Sequence, residues 1–160
     1  MPDRPRFFAD VMLGTLARWL RILGLDVAYE NDIEDADLVE RALAESRIIL
    51  TRDRRLVERR RARRALLIRS DSIERQLGQV IEELELELAA TDLMGRCLDC
   101  NRELEPIAAA EAQPRVPPFV ARTQERFRRC PACDRIFWRA THVDGIEQRL
   151  ADFGIELEES

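Results

Sequence analysis

The sequence predicts an α/β fold: a parallel sheet flanked by helices, followed by a small cysteine-bearing module. Three observations carry this. Over the first ninety residues, short apolar runs alternate with segments of helical periodicity, and strand–helix repetition of this kind builds a parallel sheet with helices on both sides. Around residues 90–96 that pattern breaks. From Cys97 onward the chain carries two CxxC pairs, a proline-rich middle and its single histidine. These shifts divide the chain into a first domain over 1–92 and a cysteine module with a final helix over 93–160.

In chain order, residues 6–11 (RFFADV) read as a short strand that delivers Asp10. Residues 13–24 set Leu13, Leu16, Ala17, Leu20 and Leu23 at helical spacing, and Gly24 supplies the stop. Residues 26–32 (DVAYEND) form a second strand. A helix over 35–46 carries Leu38, Val39, Ala42 and Leu43 on its apolar face, with Asp35 as N-cap. Residues 47–51 are a third strand, 53–64 a short basic helix and 65–70 a fourth strand. A long helix over 71–90 aligns Ile73, Leu77, Val80, Ile81, Leu84 and Leu88. Residues 143–153 form a last amphipathic helix through Val143, Ile146, Leu150 and Phe153, and the acidic tail ELEES is expected to fray. Trp19 sits among core positions of the first helix and reads as packing.

Composition narrows the function. The 160 residues are 46% hydrophobic, enough for a real core. All 26 basic residues are arginine, so the phosphate loop that needs Gly-Lys-Ser/Thr is excluded. The net charge of −5 gives no whole-protein attraction to nucleic acid, and any such binding must come from local patches. No apolar run approaches the ~18 residues of a membrane span. The N-terminus lacks the apolar segment of a signal peptide, so a cytoplasmic location is expected. One histidine and no GxSxG context leave a Ser-His-Asp triad without support.

Cys97 and Cys100 form one CxxC pair, and Cys130 and Cys133 the other; together they are all four cysteines. Each pair offers two thiolates on one turn, and two such turns complete a tetrahedral zinc site. Disulfides are disfavoured in a cytoplasmic chain, and a redox CxxC needs no matched second pair. The 29 residues between the pairs exceed the usual spacing and must carry structure of their own. Four thiolates leave zinc no open position, so its expected role is structural. His142 is a further candidate ligand, a phosphate contact or a packed polar residue.

Parallel α/β sheets gather ligands beyond the carboxyl ends of their strands. Those ends carry Asp10, Asn31-Asp32, Asp53 and Ser70-Asp71, and Asp35 opens the helix after the second strand. A single such Asp reads as a helix cap. Four on one rim repel one another unless a cation intervenes. Mg²⁺ or Mn²⁺ prefers carboxylate and water oxygens, and acid clusters holding such ions hydrolyse phosphodiesters. Arginines fit that substrate. Eight lie between Arg52 and Arg64, Arg54 among them, and Arg18 and Arg21 share one side of the first helix. A basic surface beside an acidic metal site suits an RNA backbone. Thr51 is placed to hydrogen-bond the acids.

The segments FFADVMLGTLARWLRILGLDVAYENDI, RIILTRDRRL and LLIRSDSIERQL together resemble the PIN-like RNase domain named from the C-terminal part of the Mut-seven exonuclease. CLDCNRELEPI, RVPPFV and FRRCPACDRIFWRATH resemble the zinc ribbon that accompanies it. The resemblance spans about residues 7–150. It implies a PIN-like α/β fold with a zinc ribbon and a metal-dependent ribonuclease. Asp10 matches the first acid, Asp53 the acid of Thr-x-Asp, and Asp71 a late acid. The middle acid is Asp35, with Asp32 and Asp37 as rivals. Arg18 and Arg21 match basic positions. Where the family often has Arg-Gly-Ser-His, this chain reads Arg139-Ala140-Thr141-His142, and the backbone freedom of glycine is lost at Ala140.

Three functions compete on these residues. The first is a ribonuclease with Asp10, Asp35, Asp53 and Asp71 on Mg²⁺ or Mn²⁺ and Arg18, Arg21, Arg52 and Arg54 on RNA. The second is a non-catalytic RNA- or ribosome-binding module. The third, the toxin of a toxin–antitoxin pair, is opposed by the ribbon.

Overall fold

The computed structural model of the chain describes residues 4–139 and 142–159, without the side chains of His142 and Val143. The departure from the family pattern at Ala140 and Thr141, and the role of the His142 side chain, lie outside the described residues.

Four strands, β1 (Phe7–Ala9), β2 (Val27–Tyr29), β3 (Ile48–Thr51) and β4 (Ala65–Leu67), form a parallel sheet in the order β2-β1-β3-β4. Phe8 pairs with Ala28 on one side and Ile49 on the other. Successive side chains point to opposite faces, and the core divides accordingly. Phe7, Ala9, Ile48 and Leu50 meet Leu16 and Leu20 of α1 (Gly14–Ile22) and Leu77 and Val80 of α4 (Ile73–Glu83). Phe8 and Ile49 meet Leu38, Val39 and Ala42 of α2 (Asp35–Ala44) and Leu56 of α3 (Arg54–Val57). Burial on both faces explains why these strands are continuous apolar runs rather than alternating ones. Losing either Phe7 or Phe8, both fully buried, would cost roughly 3–5 kcal/mol.

Three expected elements differ. The basic helix is a single short turn, Arg54–Val57, because beyond Leu56 only Ala62 reaches the core and five arginines share the rest of the segment. The long helix ends at Glu83. Glu85 takes a left-handed φ of 50°, and the Leu86 amide bonds back to the Ile81 carbonyl at 2.9 Å, which is a helix-ending wrap. Its cause is legible in Leu84-Glu85-Leu86-Glu87-Leu88, whose period of two suits extended chain rather than helix. Leu88 still reaches the same core. In the tail, expected to fray, Glu158 is paired: Ala90 donates to the Glu158 carbonyl at 2.9 Å and Glu158 to that of Leu88 at 2.7 Å.

The cysteine module is a three-stranded antiparallel sheet, β5 (Glu105–Ile107), β6 (Phe127–Arg129) and β7 (Ile136–Trp138), in that order. The segment between the cysteine pairs supplies α5 (Ala109–Ala112) and α6 (Pro118–Thr123), whose start is set by Pro117 and Pro118. They enclose a small core of Ala112, Phe127 and Ile136. The last helix, α7 (His142–Asp152), returns to the first core, where Leu150 is fully buried. Phe153 meets Trp19 edge-on at 5.6 Å, and the Arg149 guanidinium lies 4.9 Å over the Trp19 ring. Trp19 is packing, as its spacing suggests. No described helix is long and apolar enough to cross a membrane.

Candidate functional site

The two knuckles of the module are built alike. In the first, the Asn101 amide donates to the Cys97 carbonyl at 2.8 Å and the Cys97 amide to Arg102 at 2.9 Å. In the second, Asp134 donates to Cys130 at 2.9 Å and Cys130 to Arg135 at 3.0 Å. The residue after each second cysteine, Asn101 or Asp134, is left-handed at φ 61° and 64°, a conformation that Asn and Asp tolerate. The four sulfurs of Cys97, Cys100, Cys130 and Cys133 lie within 4.8 Å of one another, all as free thiols. The Cys97–Cys133 separation of 3.9 Å matches the edge of a sulfur tetrahedron with bonds of about 2.3 Å to zinc. Without a cation the thiols conflict. Burial and the neighbouring thiols push Cys100 up to about 12. Burial opposes ionisation of Cys130 too, but the Cys133 and Ala132 amides outweigh it and bring that thiol to about 7. A zinc ion fits this donor set and ends the conflict.

The module is tied to the amino ends of the sheet strands. Asn101 donates to Asp26 at 2.6 Å and accepts from the Val27 amide at 3.0 Å. Arg47 joins Asp26 at 2.7 Å and the Phe7 carbonyl at 3.0 Å. Burial disfavours the Asp26 carboxylate, yet the bonds from Arg47 and Asn101 hold its pKa below the ordinary value. Arg21 belongs to this seam. Its Nε donates to the Val27 carbonyl at 2.9 Å and its Nη1 to Leu98 at 2.6 Å, and burial lowers its pKa. Two of its donors are therefore committed inside the protein rather than presented to RNA.

The acids stand at the opposite ends of the strands. Asp10 follows β1, Thr51 ends β3, and these two strands are neighbours. The connections from β1 and β3 leave to opposite faces of the sheet, the topology beside which parallel sheets place their ligands. Asp10 is only 5% exposed and Thr51 fully buried. Thr51 Oγ1 donates to Asp10 Oδ2 at 2.8 Å and accepts from the Asp53 amide at 3.0 Å. The Val11 amide donates to Asp10 Oδ1 at 2.7 Å. Asp53 caps α3, accepting from the Arg55 amide at 2.9 Å through Oδ1. One threonine thus holds the Asp10 carboxylate and the Asp53 backbone, and the cap leaves the second carboxylate oxygen of Asp53 without a hydrogen bond among the described residues.

The other sequence candidates flank this pair. Asp35 is half-buried as the first residue of α2, one position inside the helix instead of at its cap, which is Glu34. Asp32, Asp37 and Asp71 are exposed, and Asp71 precedes Ser72, the residue before α4. Among the described residues no three rim carboxylates come within 4.8 Å of one another; the cysteines alone do. Arg18 and Arg54 are exposed. Arg52, between Thr51 and Asp53, has a buried Nη1 with no hydrogen-bond partner among the described residues.

Several supports of the rim escaped the sequence reading. The Tyr29 hydroxyl donates to the Val11 carbonyl at 2.9 Å and braces the turn after Asp10. Its ring covers Gly14, where a Cβ would stand 2.9 Å from the hydroxyl. Gln76 donates to the Ser70 carbonyl at 2.9 Å, and Gln79 to Leu67 at 2.8 Å while accepting from the Arg69 amide at 3.0 Å. Both glutamines are buried and set the loop that carries Asp71. The only sequence signal was two glutamines beside the apolar face of α4.

The family model described as the Mut7-C RNAse domain matches residues 5–150. No curated protein and no solved structure matches the chain.

Proposed function

We infer that this chain, which belongs to the Mut7-C RNAse domain family, hydrolyses RNA phosphodiester bonds at the rim between β1 and β3. The observation that carries the reading is the shared threonine. Thr51 bonds the Asp10 carboxylate at 2.8 Å and the Asp53 backbone amide at 3.0 Å, which ties the two acid-bearing strand ends to one hydroxyl, a support of the kind that metal ligands have. Asp10 and Asp53 would hold Mg²⁺ or Mn²⁺, with Asp35 and Asp71 completing the acid set through water. When bound, the ion supplies a water-derived nucleophile and neutralises charge developing on the phosphate. Among the chain's own residues, the half-buried Arg52, between Thr51 and Asp53, would offer its guanidinium to a non-bridging phosphate oxygen. Arg18 and Arg54 hold flanking phosphates. Zinc on the four cysteines is structural, and a reducing cytoplasmic setting suits those thiols.

The test is cleavage of a panel of single-stranded RNAs with Mn²⁺, wild type against Asp10→Asn. The expected result is wild-type turnover that needs added Mn²⁺ and falls at least about 100-fold in the variant. Equal cleavage by both proteins contradicts the reading. The spacing of the rim acids, no three within 4.8 Å among the described residues, favours a second reading: a non-catalytic RNA- or ribosome-binding protein. It expects salt-sensitive RNA binding and no turnover.

A further inference from the structure

The segment that joins β3 to β4 carries more arginine than the proposed chemistry uses. From Arg54 to Arg64 it holds seven arginines and one acid, Glu58. Leu56 and Ala62 are buried in the core on the α2 face of the sheet, and residues 58–61 between them are exposed. Backbone bonds hold the connection in place. The Arg59 amide donates to the Leu56 carbonyl at 3.2 Å, and the Ala62 amide to the Arg59 carbonyl at 3.0 Å. At the far end the Arg64 carbonyl accepts from the Ile49 amide at 2.9 Å. Ala65 then pairs with Ile49, and Leu67 with Thr51. The connection therefore starts at the acid rim, beside Asp53, and ends at the amino ends of the strands, roughly 10 Å further along the sheet.

The charges on it are uncompensated. Of the acids on α2, which packs on the same face, Glu40 alone pairs with the connection, and it takes Arg61. Arg54, Arg55, Arg59, Arg60, Arg63 and Arg64 are exposed and have no carboxylate within ion-pair distance among the described residues. The exposed glutamates Glu82, Glu83, Glu85 and Glu87 belong to a segment packed into the core of the opposite face. In a chain of net charge −5, this is a local concentration of positive charge, and it attracts polyanions where the whole protein does not. Guanidinium forks accept phosphate oxygens bidentately. Between Arg52 and Arg64 there is no aromatic residue, asparagine or glutamine, so the segment is equipped to hold a phosphate backbone and not to read bases.

We propose that the connection between α3 and β4 is a track for an RNA strand leaving the acid rim, with Arg59, Arg60, Arg63 and Arg64 on phosphates beyond those held by Arg18 and Arg54. The track rests on the RNA substrate of the proposed function and not on its catalysis. It supplies affinity without sequence preference, and it makes binding strongly dependent on salt.

The zinc-loaded full chain is titrated, without Mg²⁺ or Mn²⁺, with a fluorescently labelled single-stranded RNA of about 20 nucleotides at several salt concentrations. Three proteins are compared: wild type, Arg59→Glu/Arg63→Glu, and a control of equal charge change, Arg122→Glu/Arg126→Glu, at two exposed arginines of the ribbon. Arg59 and Arg63 are exposed, so the track variant should keep its zinc and its circular dichroism spectrum. It should bind RNA at least about tenfold more weakly, and the slope of log affinity against log salt should flatten by about 1–2. The control should change both far less. Unchanged affinity in the track variant overturns the proposal, and so does equal weakening in the two variants, which would mean diffuse attraction. Saturable binding of the wild type to phosphatidylserine vesicles but not to RNA would assign the arginines to a membrane surface and overturn it as well. Since no divalent ion is present, a chain that binds RNA through the track but cleaves nothing with Mn²⁺ leaves the track standing while the ribonuclease reading falls. Cleavage with unchanged affinity in Arg59→Glu/Arg63→Glu does the reverse.

Discussion

The cysteine cluster and the acid rim hold four candidate metal ligands each, yet they are organised in opposite ways. The cysteines sit on two copies of one turn and lie within 4.8 Å of one another. Such a set encloses its ion and leaves nothing for a substrate. The acids come from the ends of separate strands, and only Asp10 and Asp53 are joined, through Thr51. An open set of this kind leaves room for water and phosphate. Under the proposed reading, the clustered thiols make a closed structural centre and the separated acids an open, reacting one.

The largest expected effect comes from breaking the closed set. Cys130→Ser, or removal of zinc with a chelator, should unfold the β5–β7 sheet, since structural zinc contributes on the order of 10 kcal/mol to small modules. Amide exchange should show β6 and β7 deprotected while Phe8 and Ile49 of the first sheet stay protected. Loss of both sheets together would mean that the module is not a separable structural centre.

The open set responds more gently. Thr51→Val keeps the shape and removes the hydroxyl that holds the Asp10 carboxylate and the Asp53 amide. Activity should fall about 10–100-fold, as for lost supports of metal ligands, with folding retained. Single-turnover cleavage at saturating Mn²⁺ reads it, and unchanged rates would show that the threonine aims nothing.

The seam between the regions gives the smallest effect. The Asp26 pKa is depressed by its bonds to Arg47 and Asn101, so its contribution is present above the ordinary carboxyl pKa, about 4, and is lost as pH falls below that. Asp26→Asn should remove about 1–2 kcal/mol of local protection at neutral pH. Exchange of the Val27 amide, which bonds Asn101 at 3.0 Å, should rise in the wild type on acidification toward and below pH 4. In the variant it should already be high and flat. Parallel pH profiles would remove Asp26 from the seam.

Much of this was legible in the sequence. The run Ile48-Ile49-Leu50-Thr51 before Asp53 announced a strand buried on both faces, and the spacing of Cys97-Cys100 and Cys130-Cys133 announced the cluster, because both signals are local. The helix ends were less legible. The last turns of the expected long helix competed with the alternation of Leu84, Leu86 and Leu88, and the left-handed Glu85 decided against them. What stayed hidden depends on distant chain segments meeting. Tyr29 braces the turn after Asp10, Asn101 reaches Asp26 across 75 positions, and Arg21 turns to Leu98 across 77. No periodicity encodes such contacts. The rim was legible as a list of acids with Asp10 and Asp53 as its candidate metal pair and Thr51 beside them, and the structure adds that β1 and β3 are neighbours.

The most direct test of the rim as a metal site is Mn²⁺ binding to the zinc-loaded chain, followed by electron paramagnetic resonance, in wild type and Asp53→Asn. The account predicts saturable Mn²⁺ binding in the wild type, sharply weakened in the variant, with one zinc retained in both. Mn²⁺ binding that is absent from the wild type, or equally tight in Asp53→Asn, would contradict it.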